Sequence, residues 1–212
     1  MRSGLSAVHA PSIPLDRLCE DARVKTSDRL PPWHEHKRLL NGREVLIRPI
    51  RPEDAEVLRA GFALLHPEEI RQRFLYAIKE LTPETAARLA RPDPDTEFAL
   101  VAAEPYPPGE ALIGAVARVA ITPGTREAEF AILVSHFISG MGLGRHLMRR
   151  LVRWARRKGL DRLYGDVLEH NTAMIALALS LGFHREHAED PGLVRVSLDL
   201  RKAPAASTDD AS

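Results

Sequence analysis

Residues Glu127 to Phe183 read EAEFAILVSHFISGMGLGRHLMRRLVRWARRKGLDRLYGDVLEHNTAMIALALSLGF, and this stretch decides the fold. It opens on a strand-like run, Glu127 to Val134. After a few residues comes a glycine turn, Gly140-Met141-Gly142-Leu143-Gly144, which leads straight into a helix from Leu143 to Lys158. Leu147, Met148, Leu151, Val152 and Ala155 share one face of that helix. Gly159 ends it. A second strand, Arg162 to Leu168, is expected to run parallel to the first, because a helical crossover joins them. Asn171 to Leu181 is almost wholly apolar, so that helix must be buried or must cover a ligand.

Alternating glycines let the backbone turn its N–H groups toward one point, and the helix that follows adds positive potential there. Together they suit a phosphorylated ligand. Two common phosphate loops are excluded by the letters. A Walker loop needs Lys and Ser or Thr after its last glycine, where this chain has Arg145 and His146. A dinucleotide fingerprint needs a third glycine where Arg145 or Leu147 stands.

What remains, G-x-G-x-G running into a helix, resembles the acyl-CoA pyrophosphate loop of the GNAT acetyltransferase superfamily, Q/R-x-x-G-x-G/A. The pattern falls on Ser139, Gly140, Met141, Gly142, Leu143 and Gly144. Ser139 departs from the usual Gln or Arg, which leaves Arg145 as the nearest cation. The N-x-A…L-G-F letters from Asn171 to Phe183 resemble the family's second cofactor-contacting segment. The likeness covers roughly Arg43 to Leu200. It implies an α/β, three-layer GNAT fold: a mixed, mostly antiparallel central sheet with two splayed parallel strands, flanked by helices. It also implies acetyl-CoA as acyl donor. The pantetheine arm would pair with Ile132, Leu133 and Val134, the pyrophosphate would lie on the N–H groups of Met141 to Arg145, and Asn171 would lie beside the arm. Read from the residues alone, Asn171 is also an N-cap for the helix it opens.

Acetyl transfer needs a neutral amine. A lysine of pKa ~10.4 is neutral only about once in 2,500 molecules at pH 7, a cost of roughly 4.6 kcal/mol. Glu129, an acid inside the otherwise apolar AEFAILV, is the expected general base, since burial there would raise its pKa. Glu127, Glu97 and Asp166 are runners-up, and an exposed acid on a half-buried strand is the plain alternative for Glu129. The resemblance implies direct attack in a ternary complex, with a backbone N–H near Leu133 and Val134 stabilising the oxyanion. The family's leaving-group tyrosine falls on Ala178, so no general acid is assigned; Ser180 and water are the alternatives.

Outward from this unit, Glu97 to Ala103 and Ala111 to Ile121 read as strands that make an antiparallel meander with Glu127 to Val134. Arg43 to Arg51 reads as the first strand. Helices are expected from Pro52, from Pro67 to about Phe74, and from Thr82, a plausible N-cap. Phe183 onward and Leu193 to Leu200 read as a closing hairpin. Residues 1–40 read as a flexible extension, 41–201 as the GNAT domain and 202–212 as a disordered tail.

The 212 residues carry a net charge of +1, which gives no bulk electrostatic case for nucleic acid. The arginines of the long helix (Arg145, Arg149, Arg153, Arg156, Arg157) read as a solvated face. One cysteine, Cys19, and the lack of an apolar leader fit a cytoplasmic protein. No apolar run approaches the ~20 residues of a membrane span. His34-Glu35-His36 lacks a third ligand of evident spacing, so no metal is expected.

A narrower likeness concerns the acceptor. R-P-I-R-P-E-D (Arg48 to Asp54), P-E-E-I-R-Q-R-F (Pro67 to Phe74) and A-E-F-A-I-L-V (Ala128 to Val134) resemble bacterial protein-lysine acetyltransferases that act on acyl-CoA synthetases. A protein lysine, with such a synthetase as partner, is therefore the expected acceptor. Small amines such as polyamines or antibiotics, and a non-catalytic acyl-CoA sensor, are the alternatives.

Overall fold

The computed structural model describes residues 33–76 and 78–202. Cys19 and the tail from residue 203 lie outside the described residues. The chain runs β1 (Glu35–Arg38), β2 (Glu44–Pro49), a 3-10 turn (Pro52–Asp54), α1 (Ala55–Phe62), α2 (Pro67–Phe74), α3 (Pro83–Leu89), β3 (Glu97–Ala103), β4 (Ile113–Ile121), β5 (Glu127–Val134), α4 (Leu143–Arg157), β6 (Arg162–Leu168), α5 (Thr172–Leu179), β7 (His184–His187) and β8 (Leu193–Asp199). The strands form one sheet in the order β1-β2-β3-β4-β5-β6-β8-β7. Every neighbouring pair is antiparallel except β5 and β6. The expected mixed α/β sheet with one parallel pair is what forms.

One expectation is corrected at the N-terminal edge. The strand read as the first is the second, and Glu35 to Arg38, assigned to the extension, is an edge strand pairing Glu35 with Ile47 through Arg38 with Glu44. Its letters, EHKR, carry no apolar alternation because an edge strand can be held by ladder bonds and surface contacts. Glu35 anchors it by reaching Arg150 and His146 of α4. Glu35 of the His34-Glu35-His36 run thus docks β1 onto the helix.

The helices follow their sequence signals. Pro67 and Pro83 sit in the first turns of α2 and α3, and the Thr82 hydroxyl accepts the Thr85 N–H at 3.2 Å. On one face of the sheet, Leu147, Met148, Leu151 and Ala155 of α4 pack with Val119, Ala128, Phe130 and Ile132. The α4 arginines Arg145, Arg149, Arg153 and Arg157 stay exposed on the far side. On the other face, Ile50, Ala99 and Val101 pack beneath α1, while Phe62, Leu81 and Ala86 join α1 to α3 with Ile70 and Phe74 of α2 alongside. The apolar α5 is buried only at Ile175 and Ala178, and Leu179 stays exposed. Of the two alternatives for that helix, full burial is excluded.

A buried ion pair locks the start of the helical face. Arg48 and Asp54 are both fully buried and meet bidentately, Nη1 to Oδ2 at 2.7 Å and Nη2 to Oδ1 at 2.8 Å. The same carboxylate accepts the Arg51 N–H at 2.8 Å and the Gly109 N–H at 3.2 Å. The R-P-I-R-P-E-D letters therefore describe a structural clamp.

Gly165 of β6 is needed for space. A Cβ there would lie 2.8 Å from two carbons of the Phe130 ring, which crosses from β5. Gly165→Ala is expected to cost about 1–3 kcal/mol through overpacking. The measurement is the urea unfolding midpoint, and trimming the ring with Phe130→Leu should restore part of the loss.

Candidate active site

The site begins where the parallel pair comes apart. β5 and β6 pair only at Glu127–Arg162, Ala128–Leu163 and Glu129–Tyr164. Beyond Glu129, β5 continues to Val134 paired on one side alone, with β4, while β6 turns its other edge to β8 as far as Leu168. The backbone of Ala131 to Val134 thus borders a gap with no strand across it. Such an edge can pair with an extended, amide-bearing chain. A cleft of about 240 Å³ opens at this fork, lined among others by Arg73, Tyr76, Glu129, Asp166, Asn171 and Met174.

Acids along this face differ sharply in their partners. Glu97 pairs with Arg118, and Glu127 with Arg162 at 3.4 Å. Asp166 is gripped by Arg195 at 2.8 and 2.7 Å. The runners-up are therefore all committed to ion pairs. Glu129 has no hydrogen-bond or ion-pair partner among the described residues. Its side chain is exposed at the cleft mouth, yet enough protein surrounds the carboxylate that burial raises its pKa. Asp166 nearby raises it further, and Arg195 and Arg73 partly oppose them.

At the far end of the gap stands the glycine turn. Gly140 and Gly142 have φ of +73° and +76°, which explains why glycine is used there. Gly144 is needed for a different reason: a Cβ would meet Leu177 of α5 at 3.2 Å, so the turn and α5 approach closely. Gly142 is the N-cap of α4, with no side-chain cap and no acid in the first turn. The leading N–H groups of a 15-residue helix are left facing outward, the arrangement that favours an anion. The Ser139 hydroxyl donates to the His136 carbonyl at 3.3 Å, and Arg145 is exposed beside the turn.

Asn171 does cap α5, its Oδ1 accepting the Met174 N–H at 3.1 Å, and it also lines the cleft. Ala178 is fully buried, and Ser180 is exposed with its hydroxyl donated to the Leu177 carbonyl at 2.6 Å. Neither lines the fork.

The sequence placed α2 but not its role, which is to roof the cleft. Glu68 reaches His170 Nε2 at 2.7 Å in the loop after β6. Glu69 accepts the His136 N–H at 2.7 Å and meets His136 Nδ1 at 2.9 Å in the loop after β5. Consecutive acids thus hold the helix to both sides of the fork. His66, Glu69 and His136 also bring potential ligand atoms within 4.8 Å of one another, but the Glu69 oxygens already take the His66 and His136 N–H groups. The cluster works as a strut. Further along α2, Arg73 enters the cleft; its place three residues after Ile70, on the packed face, was the available signal.

A forked β5–β6 pair and an uncapped glycine-led helix define a GNAT acyltransferase. The model of the acetyltransferase (GNAT) domain matches residues 44–184, and the chain belongs to this family. It is therefore an acetyltransferase of a family that uses acyl-CoA donors. It is 35% identical to a Pseudomonas aeruginosa acetyltransferase over 150 residues, 71% of this chain and 80% of that protein. The GNAT domain of S. lividans PAT superposes with a TM-score of 0.70 at 26% identity, over 80% of this chain and 98% of that one. A cAMP-binding acyltransferase from Mycobacterium smegmatis matches at 25% identity with a TM-score of 0.54, over 87% of this chain and 52% of that one. No helix among the described residues is long and apolar enough to cross a membrane.

Proposed function

We propose that the chain transfers the acetyl group of acetyl-CoA to the side-chain amine of a protein lysine, with Glu129 as the general base. The observation that carries this reading is the free carboxylate of Glu129, with its raised pKa, at the point where β5 and β6 part. The pantetheine arm would add as a strand against Ile132, Leu133 and Val134. Its pyrophosphate would take the N–H groups from Met141 to Arg145, and Asn171 would offer its amide to the arm. Glu129 takes the amine proton, the nitrogen attacks the thioester carbonyl, and a backbone N–H of the Leu133–Val134 region holds the oxyanion. The C–S bond then breaks; the nitrogen gives up its remaining extra proton through water, which passes one to the departing thiolate. Preference for a protein lysine rests on the three motifs quoted above and on likeness to the S. lividans PAT domain.

The test is incubation with acetyl-CoA and a panel of acyl-CoA synthetases, polyamines and aminoglycosides, following free CoA and acetyl-lysine by mass spectrometry. Acetylation of a defined synthetase lysine supports the reading. Turnover on small amines alone overturns the protein acceptor, and acetyl-CoA binding without turnover on any acceptor favours a sensor.

A further inference from the structure

Five charged side chains form a row across the face of the sheet that looks toward α2 and α3: Glu97 on β3, Arg118 on β4, Glu129 on β5, Asp166 on β6 and Arg195 on β8. Arg73 descends into this row from α2. The outer members are neutralised in place. Arg118 holds Glu97 and also donates to the Leu89 carbonyl at 2.9 Å, while Arg195 holds Asp166 through two hydrogen bonds. Two opposite charges remain uncommitted in the middle, Glu129 and Arg73. They feel each other electrostatically without forming a hydrogen bond.

Arg73 is the more unusual of the two. Its guanidinium has no hydrogen-bond or ion-pair partner among the described residues, and it lies over the Phe74 ring, 4.9 Å to the centroid. A cation in the last turn of α2 does complement the helix dipole, but an exposed side chain would serve that purpose equally well. Here the group is half-buried in the cleft instead. Burial, then the Arg118 charge, pushes its pKa down to about 10, so it stays cationic at neutral pH. A half-buried guanidinium that lines the cleft with no hydrogen-bonded counter-ion is a ready partner for an anion that arrives with a ligand. Both Arg73 and Glu129 line the cleft at the fork, so an acceptor delivering its amine to one meets the other.

We propose that Arg73 is a specificity residue that binds a carboxylate carried by the acceptor close to its reactive amine. The substrate class this defines is a locally zwitterionic amine: a lysine with an Asp or Glu neighbour, or an amino acid presenting its own carboxylate. Arg73 and Glu129 then act as a pair, one reading the anion and the other taking the proton from nitrogen. A guanidinium suits this task because its planar fork matches a carboxylate bidentately. The inference rests on the reading of the fork, with Glu129 as base, as the place where the acceptor amine is received.

The experiment compares kcat/KM on matched acceptors in wild type, Arg73→Met and Arg73→Lys. One pair is a lysine peptide with flanking Glu and its Gln counterpart. The other is free lysine and lysinamide, which separates a peptide acid from an α-carboxylate. Wild type should favour the acidic member of at least one pair by about 10- to 100-fold, the worth of a charged hydrogen-bonded contact. Arg73→Met should collapse that ratio toward one, and Arg73→Lys should recover part of it. Calorimetric titration of the same ligands onto protein with CoA bound gives a readout that does not need turnover. Equal binding and equal rates for acid and amide in wild type overturn the proposal. So does an Arg73→Met loss common to all acceptors with a displaced pH profile, which would make Arg73 a positioning residue for Glu129. If peptides are inert while free lysine reacts and prefers its carboxylate form, the protein-acceptor reading fails and the Arg73 assignment stands.

Discussion

Glu129→Gln is expected to lower kcat by about 100- to 10,000-fold, the usual contribution of a positioned general base, while leaving the affinity for acetyl-CoA close to wild type. The donor contacts proposed above come from the backbone of β5, the glycine turn and Asn171, so losing one carboxylate should not disturb them. The pH dependence has a definite sign. Burial and Asp166 hold the Glu129 pKa above the ordinary carboxylate range, and the base works only when ionised. The rate in wild type should therefore fall on the acid side at a pH above that of a free glutamate, and this limb should vanish in Glu129→Gln. Stability runs the other way. An acid whose pKa is raised on folding binds its proton more tightly in the native state, so its ionised form opposes folding once the pH exceeds the ordinary carboxylate pKa. At neutral pH, Glu129→Gln should melt no lower than wild type. A variant that loses turnover together with thermal stability or CoA affinity would show that Glu129 is not the base.

Asp54→Ala should bring the largest loss of stability, about 3–5 kcal/mol, because it strands the buried Arg48 charge. It also orphans the Arg51 and Gly109 N–H groups, which the same carboxylate satisfies. Domains of this kind have only about 5–15 kcal/mol in total, and for this chain length the loss corresponds to a melting shift on the order of 10 °C. Denaturant and thermal unfolding measure it. The charge is the cause, so replacing both partners with apolar residues of similar volume (Arg48→Met with Asp54→Leu) should cost less than Asp54→Ala alone. A double variant as unstable as the single would assign the loss to packing and backbone capping.

The sequence by itself determined the unit that makes this a GNAT protein. Glycines at positions 140 and 142 have a local reason, positive φ, so the turn could be read from letters alone. The period-2 and helical patterns on either side, and the crossover rule for parallel strands, then placed β5, α4 and β6. Glu129 was legible for the same kind of reason: one acid in an apolar strand is a local anomaly.

Only the tertiary structure decided what surrounds it. Glu97, Glu127 and Asp166 ceased to be candidates because Arg118, Arg162 and Arg195, respectively 21, 35 and 29 residues away in sequence, reached them, separations no local pattern reports. β1 escaped detection because an edge strand of four polar residues owes its place to β2 and α4. Arg73 escaped for a related reason. Its letter fits an ordinary helix terminus, and only the folding of α2 over the fork, tied by Glu68 to His170 and by Glu69 to His136, brings it into the cleft that Glu129 also lines. Local backbone demands are written in neighbouring residues, whereas the pairing of charges depends on which distant side chains the packed layers bring together.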